Sequence, residues 1–115
     1  MRLAVVGSRT INKIDFESYI NFIPSLIVSG GANGVDTISE KWANSKGIKT
    51  LIFKPEYKRY KKAAPLVRNK QIVESCDVLF AFWDGKSKGT MNAVHYAKEL
   101  GKDVKIFTSP SPTTT

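Results

Sequence analysis

A glycine-rich turn between an apolar run and an amphipathic run constrains the fold of this chain more than any other segment. Residues 27–29 end a short apolar run, residues 30–34 hold three glycines, and apolar residues then recur at helical spacing at Val35, Ile38 and Trp42. This order predicts a strand, a tight loop and a helix. The N–H groups at the start of such a helix lack intrahelical partners and favour anions such as phosphate. The loop departs from the dinucleotide-binding G-x-G-x-x-G pattern and lacks the lysine of a P-loop.

The rest of the chain repeats this alternation of apolar runs and helical periodicity. Five strands alternating with four helices predict an α/β fold, a small Rossmann-like three-layer sandwich around a parallel five-stranded sheet. We expect one domain at residues 1–107 and a disordered tail at 108–115, which contains only Ser, Thr and Pro. The predicted strands are 2–8, 25–29, 49–53, 77–83 and 104–107, and the predicted helices are 15–23, 34–46, 65–75 and 90–100.

Composition excludes several classes of protein. No apolar run approaches the roughly 20 residues that a membrane span needs, and the N-terminus lacks the pattern of a signal peptide. Cys76 is the single cysteine, so no intramolecular disulfide can form, and a cytoplasmic location is expected. His95 is the only histidine, and no Cys, His and carboxylate residues stand at ligand spacing. We therefore expect no metal and no cofactor.

The loops that follow strands one, two and four share one chemistry. In an open parallel sheet these loops lie at the same edge, where ligands bind at the point of reversed strand order. Each loop combines glycines, which let backbone N–H groups approach a phosphate, with hydroxyl or cationic side chains. The candidate ligand-binding residues are Gly7, Ser8, Arg9, Ser29, Gly30, Gly31, Asn33, Gly34, Asp36, Tyr60, Arg68, Asn69, Trp83, Asp84, Ser87, Gly89 and Thr90.

Two acidic residues of these loops are candidates for catalysis, but neither is assigned to it. With Asn33 as the N-cap, Asp36 would occupy the third helical position, where an acid stabilises the helix. The alternatives are that Asp36 binds ribose hydroxyls or takes part in catalysis. For Asp84, a role in ligand binding or in structuring the loop is favoured over catalysis. Trp83 ends a strand, where it either packs in the core or stacks on a nucleobase.

Four motifs follow one another in a distinctive order. They are Gly7-Ser8-Arg9, Ser29-Gly30-Gly31-Ala32-x-Gly34-Val35-Asp36, Arg68-Asn69-Lys70-x-Ile72 and Trp83-Asp84-Gly85-x-Ser87-x-Gly89-Thr90. Together they resemble the SLOG superfamily, and in particular its small YspA/YpsA-related branch, over nearly the whole chain. The superfamily includes the Lonely Guy phosphoribohydrolases and the Rossmann domain of DNA-processing protein A. The resemblance implies a domain that binds nucleotides or nucleotide-derived molecules, and many such domains act in bacterial or phage conflict systems.

One departure from the superfamily concerns catalysis. Lonely Guy enzymes carry P-G-G-x-G-T-x-x-E, in which the glutamate serves N-glycosidic cleavage. This chain lacks the proline, its loop is one residue longer, and Ala93 stands three residues after Thr90 in place of the glutamate. The resemblance therefore favours binding over Lonely Guy-type hydrolysis.

Three functions remain open at this point. The first is binding of a nucleotide-derived molecule, such as an ADP-ribose-type or cyclic nucleotide signal, by a sensor or sequestering protein in immune signalling. The second is hydrolysis of a nucleoside or nucleotide N-glycoside by Asp36 or Asp84. The third is binding of single-stranded DNA, because lysines and arginines interleave with Tyr60 in a chain of net charge +8. Homo-oligomerisation is also considered, since apolar area at Phe16, Tyr19 and Phe22 could be covered by a partner.

Overall fold

The computed structural model describes residues 1–108, which form an α/β sandwich around one parallel sheet. The strand order is β3-β2-β1-β4-β5, and every neighbouring pair is parallel. The predicted Rossmann-like α/β fold is therefore confirmed. The strands are β1 (Arg2–Gly7), β2 (Leu26–Ser29), β3 (Lys49–Ile52), β4 (Val78–Trp83) and β5 (Asp103–Thr108), and the helices are α1 (Val35–Ser45), α2 (Tyr57–Tyr60), α3 (Ala64–Glu74) and α4 (Lys88–Glu99).

The central strand β1 is where the order of the sheet reverses. It pairs with β2 on one side, in the register Leu3 to Ile27, and with β4 on the other, in the register Gly7 to Phe82. The chain leaves β1 toward β2 and β3, and it returns across the sheet to β4 and β5. The connections at the carboxyl ends of β1 and β4 thus diverge and leave a crevice between them.

Alternating side chains of the strands build two separate cores, which explains the three layers. Leu3, Val5 and Phe82 face a layer that holds α1 and a single 3₁₀ turn at Phe16–Ser18. Residues one position along, such as Val6 and Ala81, face the layer of α3 and α4. Both sets of strand residues are buried, as expected for a sheet covered on both faces.

The predicted helix at 15–23 is wrong, because only the 3₁₀ turn at Phe16–Ser18 forms there. The aromatic side chains that gave the helical spacing cover the sheet individually instead. The ring centroid of Phe16 lies 5.4 Å from that of Phe82, and the centroid of Tyr19 lies 5.2 Å from the same ring. Ile23, the last residue of the predicted apolar stripe, is 87% exposed. An isolated helix this short gains too little from its own hydrogen bonds to displace such packing.

The same packing bears on the apolar surface that was considered for homo-oligomerisation. Phe16 is only 2% exposed, and Tyr19 and Phe22 pack against the core of their own chain. The apolar area proposed for a homo-oligomer at these three residues is therefore largely covered within the chain.

Two further differences concern the segments between and after the predicted elements. Residues 57–63, expected as loop, form α2 and a 3₁₀ turn at Lys61–Ala63. Thr108, the first residue of the predicted tail, pairs with Trp83 as the end of β5. The other residues of the predicted tail, 109–115, lie outside the described residues.

Candidate functional site

A cleft of about 390 Å³ opens where β1 and β4 end, at the reversal of strand order. It brings together nine of the residues selected from the sequence: Gly7, Arg9, Asp36, Arg68, Asn69, Asp84, Ser87, Gly89 and Thr90. The other lining residues were not among the candidate ligand-binding residues, although two of them belong to the quoted motifs; they are Val6, Thr10, Ala32, Pro65, Leu66 and Ile72. The cleft therefore combines charged groups with an apolar wall contributed mainly by the start of α3.

Arg68 on α3 reaches across the cleft to the loop that follows β2. Its Nη1 donates to the carbonyl oxygen of Gly30 at 2.8 Å, and its Nε donates to Oδ1 of Asn69 at 3.0 Å. Nη2 has no acceptor among residues 1–108, and no side-chain nitrogen there is both buried and unpaired. Nη2 is consequently open to the solvent of the cleft and available to a ligand.

Asn69 joins α3 to the beginning of α4. Its Nδ2 donates to the carbonyl oxygen of Gly89 at 3.2 Å and to Oδ1 of Asn92 at 3.1 Å. Asn69 is 5% exposed, whereas Arg68 is half-buried. Arg68 and Asn69 together thus link the loop after β2, α3 and the start of α4 through one set of hydrogen bonds.

Arg9 provides a second guanidinium at the cleft. It is exposed near the beginning of the segment after β1. The salt bridges of residues 1–108 are Arg2 with Asp77 and Lys46 with Glu17, so neither Arg9 nor Arg68 is in a salt bridge. Burial lowers the pKa of Arg68, the nearby carboxylate of Asp36 raises it, and the charge of Arg9 lowers it to a smaller extent. The two cations therefore act on each other at the cleft, whose lining also holds the carboxylates of Asp36 and Asp84.

Asp36, in the first turn of α1, is a buried carboxylate on the wall of the cleft. It is 6% exposed, and its Oδ2 accepts a hydrogen bond from the N–H of Ala32 at 3.0 Å. Burial raises the pKa of Asp36 to about 6, although the Ala32 N–H and the charge of Arg68 favour its ionised form. Glu40, one turn further along α1, adds to the increase.

The loop between β2 and α1 differs from the open phosphate cradle expected from its glycines. The Ala32 N–H donates to Asp36, and the Gly31 N–H points to Oγ of Ser29 at 3.5 Å. Ser29 itself is buried and donates to Oε2 of Glu40 at 3.1 Å. The carboxylate of Asp36 thus takes the place over this loop that an anionic ligand would need.

The N-cap of α1 is also different from the prediction. Gly34, and not Asn33, precedes the helix, and it has a positive φ of 77°. A Cβ atom on Gly34 would lie 2.8 Å from the carbonyl oxygens of Ser8 and Arg9, so only glycine fits between the two loops. Asp36 accordingly occupies the second helical position and bonds backward to Ala32 instead of completing a capping box.

Asp84 fastens the loop after β4 to the loop after β1. Its Oδ1 accepts from the N–H groups of Lys86 and Ser87, and its Oδ2 accepts from the hydroxyl of Thr10 at 2.8 Å. The Asp84 N–H in turn donates to Oγ of Ser8. The two backbone N–H groups, followed by the Thr10 hydroxyl, hold the pKa of Asp84 well below its ordinary value. Asp84 is therefore a fixed negative charge that shapes the loops.

Helix α4 begins directly after the loop that these hydrogen bonds of Asp84 hold in place. Oγ of Ser87 accepts from the N–H of Thr90 at 3.2 Å, which makes Ser87 a typical N-cap. The N–H groups of Lys88 and Gly89 precede the first intrahelical hydrogen bond, and Gly89 lines the cleft. The positive end of α4 thus faces the same space as Arg9.

Gly7 lines the cleft for a structural reason. A Cβ atom on Gly7 would lie 2.4 Å from Cγ2 of Val35 and 2.7 Å from the carbonyl oxygen of Phe82. The absence of a side chain lets the start of α1 approach the end of β1 closely. The crevice wall can form only because of this contact.

Several residues selected from the sequence lie outside the lining of the cleft. Trp83 donates its indole N–H to the carbonyl oxygen of Ser87 at 3.0 Å, and this bond holds the α4 cap. Tyr60 lies on α2 with the guanidinium of Arg59 5.2 Å above its ring. Ala93, at the position of the Lonely Guy glutamate, is buried against the sheet. Also outside the lining are Ser8, Ser29, Gly30, Gly31, Asn33 and Gly34.

The described part of the chain offers neither a cluster of metal ligands nor a helix that could span a membrane. Among residues 1–108, His, Cys, Asp and Glu do not gather in a group of three or more that could hold a metal ion. Within the same residues, every helix is too short or too polar to cross a membrane.

The comparisons with known proteins agree with this architecture. Residues 1–60 match the YspA, cpYpsA-related SLOG family. The chain is also 33% identical over 88 residues to the Gene 61 protein of Mycobacterium phage D29, an alignment that covers 71% of this chain and 70% of the relative. No solved structure gives a significant match. The family match includes the first two of the four sequence motifs, together with Asp36, and it confirms the assignment to the YspA/YpsA-related branch of the SLOG superfamily. This chain therefore belongs to the YspA, cpYpsA-related SLOG family.

Proposed function

We propose that the chain binds a nucleotide or nucleotide-derived molecule in the cleft, with a phosphate group directed toward Arg9 and the start of α4. The observation that carries this proposal is that two guanidinium groups, Arg9 and Arg68, line one cleft and that neither is in a salt bridge among residues 1–108, although Asp36 lies close to Arg68. Anionic ligands favour such a site, because charge-assisted hydrogen bonds from arginine are strong and geometrically specific.

The size and the energetics of the cleft support a small phosphorylated ligand. Its volume of about 390 Å³ lies within the range of small-molecule sites. Each hydrogen bond to a charged group contributes roughly 1.5–3 kcal/mol. Three such contacts and an apolar contact with Pro65 and Leu66 reach about −8 kcal/mol, the free energy of micromolar binding.

Family membership supports a nucleotide-related role but does not specify the ligand. We propose that the bound molecule is held as a signal, by a sensor or a sequestering protein, and that ADP-ribose-type and cyclic nucleotides are the first ligands to examine. A relative encoded by a phage makes a role in conflict between phage and bacterium a reasonable context for this signal.

Isothermal titration calorimetry with AMP, ADP-ribose and cyclic AMP, and with adenosine as the ligand lacking phosphate, tests the proposal. We expect at least one phosphorylated ligand to bind with a Kd of about 10 μM and adenosine to bind far more weakly. Arg9→Ala should weaken binding about tenfold or more, because it removes a charge-assisted contact. Arg59→Ala is the matched control, since this exposed arginine lies outside the cleft. Equal effects of the two substitutions would contradict the assignment of the site.

A second candidate function, N-glycoside hydrolysis, is favoured by the contrast between the two acids of the cleft. Burial raises the pKa of Asp36 to about 6, whereas hydrogen bonds keep Asp84 ionised. Such divergence is typical of an acid and a base that act on the same substrate. Asp36 would donate a proton to the departing base as the C1′–N bond breaks, water would add to C1′ of the sugar, and the proton that this water loses would return to Asp36 through the solvent.

Chromatography of free bases released from nucleoside monophosphates and ADP-ribose tests this second candidate. Hydrolysis predicts base release by the wild type and its loss in Asp36→Asn, whose side chain cannot supply the proton. Binding without release by a folded protein would leave the first proposal and remove the second.

A further inference from the structure

Asp36 and Arg68 present a hydrogen-bond acceptor and a donor side by side at the cleft. A Cβ atom on Gly30 would lie 2.6 Å from Nη1 of Arg68 and 3.0 Å from Oδ2 of Asp36, so both side chains converge on this point. Their charged atoms are nevertheless more than 4.0 Å apart, because they do not form a salt bridge. The two groups are thus close neighbours that are not paired directly.

Each group retains one unsatisfied polar atom. Oδ2 of Asp36 accepts from the N–H of Ala32, and the N–H of Gly30 also favours the ionised carboxylate, whereas Oδ1 makes no hydrogen bond with residues 1–108. Arg68 uses Nη1 and Nε, and Nη2 has no acceptor in the same part of the chain. No side-chain oxygen or nitrogen of the described residues is both buried and unpaired, so these two atoms contact the solvent of the cleft.

The position of Asp36 also decides how a phosphorylated ligand can lie in the site. A carboxylate over the loop after β2 repels a phosphate there, so the phosphate must bind on the side of Arg9 and α4. The part of the ligand beside Asp36 is then one that donates a hydrogen bond. A sugar hydroxyl donates to an oxygen acceptor and accepts from an N–H group at the same time.

We propose that Asp36 and Arg68 form a subsite for a ribose hydroxyl, which makes the cleft selective for ribonucleotides over ligands that lack sugar hydroxyls. This inference rests on the proposed function, because it requires a phosphorylated nucleotide in the cleft. The selectivity arises because Oδ1 of Asp36 and Nη2 of Arg68 are left unpaired in a sheltered site when the hydroxyl is absent.

Titration of the wild-type protein with AMP, GMP, CMP and UMP, each beside its 2′,3′-dideoxy form, tests the subsite without any substitution. The ribonucleotides that bind should do so about tenfold or more tightly than their dideoxy forms. Equal affinity of the two forms would overturn the hydroxyl subsite and leave the proposed function intact. Failure of all the monophosphates to bind would overturn the subsite, and failure of ADP-ribose and cyclic AMP to bind as well would overturn the proposed function.

Asp36→Asn identifies the residue responsible. Asparagine can keep the carbonyl oxygen toward Ala32 but presents an N–H₂ group where Oδ1 was, so the preference for the ribonucleotide should fall to within about twofold. Binding of the dideoxy form should be retained, which shows that the variant is folded and that the phosphate subsite is intact. Asp103→Asn, at an exposed residue of β5, is the matched control and should keep the full preference. A preference that survives in Asp36→Asn would contradict the role of this carboxylate.

Discussion

Replacement of Asp36 by asparagine should stabilise the folded protein at neutral pH, although it removes a residue of the proposed site. Burial raises the pKa of Asp36 from 3.8 to about 6, so the folded chain holds a proton on this carboxyl that the unfolded chain has already lost. Stability must therefore fall as the pH rises through the window between these two values. A shift of about two units corresponds to a loss of about 3 kcal/mol at pH 7 relative to a neutral side chain.

Asparagine keeps a carbonyl oxygen that can accept from the Ala32 N–H, and it carries no charge to desolvate. Asp36→Asn should thus be about 3 kcal/mol more stable than the wild type at pH 7, and about half of that difference should remain at pH 5. The pKa values of Asp77 and Asp84 are lowered, so both acids stabilise the folded chain above their ordinary pKa and this stabilisation is lost as the pH falls below about 5. Their contribution is the same in the wild type and in Asp36→Asn, so it cancels in the stability difference between the two proteins.

Urea unfolding followed by tryptophan fluorescence at a series of pH values measures the difference directly. Asp103→Asn serves as the control for removing an exposed negative charge from β5, and it should unfold like the wild type. The reasoning would be refuted if Asp36→Asn were no more stable than the wild type at pH 7. A stability difference that did not shrink toward pH 5 would refute it equally, because the cause would then not be ionisation of Asp36.

Three other substitutions address the packing and the specificity of the cleft. Gly7→Ala should destabilise the fold by about 2 kcal/mol or more in urea unfolding, because its Cβ would lie 2.4 Å from Cγ2 of Val35. Gly89→Ala is the control, because its Cβ meets open space, and it should unfold like the wild type. Asn69→Ala should cost about 1–3 kcal/mol in the same assay, since buried partners on α4 lose their hydrogen bonds. Alanine at all lysine and arginine positions of residues 54–62 should leave the AMP affinity within about twofold by calorimetry. Any binding of single-stranded DNA by these exposed cations should disappear in this variant. In the wild type, such DNA binding should weaken steeply with salt.

The architecture could be predicted because it depends on local patterns that repeat along the chain. The nearly continuous apolar run of β4 and the periodic helices α1 and α4 require little tertiary information to identify. The segment 15–23 could not be predicted in this way, because its aromatic spacing fits a helix as well as it fits an irregular segment whose side chains cover the sheet. The rings of Phe80, Phe82 and Phe107 on the sheet beneath it select the second form.

The position of the cleft could be predicted from the sequence, but the hydrogen bonds that connect its walls could not. The shared edge of a parallel sheet and the glycine-rich loops indicated where the cleft lies. The bond from Arg68 to Gly30 spans 38 residues of sequence, and the bond from Thr10 to Asp84 spans 74, so neither leaves a local signal. Asp36 was expected at the third helical position, but Gly34 is the N-cap and Asp36 is the second helical residue. Its carboxylate therefore accepts from the Ala32 N–H in the glycine-rich loop, a contact that the sequence did not indicate.

The central claim is that a nucleotide phosphate binds between the loop after β1 and the start of α4. Titration of AMP into ¹⁵N-labelled protein, followed by ¹H–¹⁵N correlation spectra, tests this claim at the level of individual backbone amides. We predict that the amide signals of Arg9, Thr10, Gly89 and Thr90 move with one saturating dependence on AMP, while those of Lys58 and Lys61 stay in place. Saturating shifts confined to α2, or no shifts at about 1 mM AMP, a concentration at which binding of only about −4 kcal/mol would be seen, would contradict the claim.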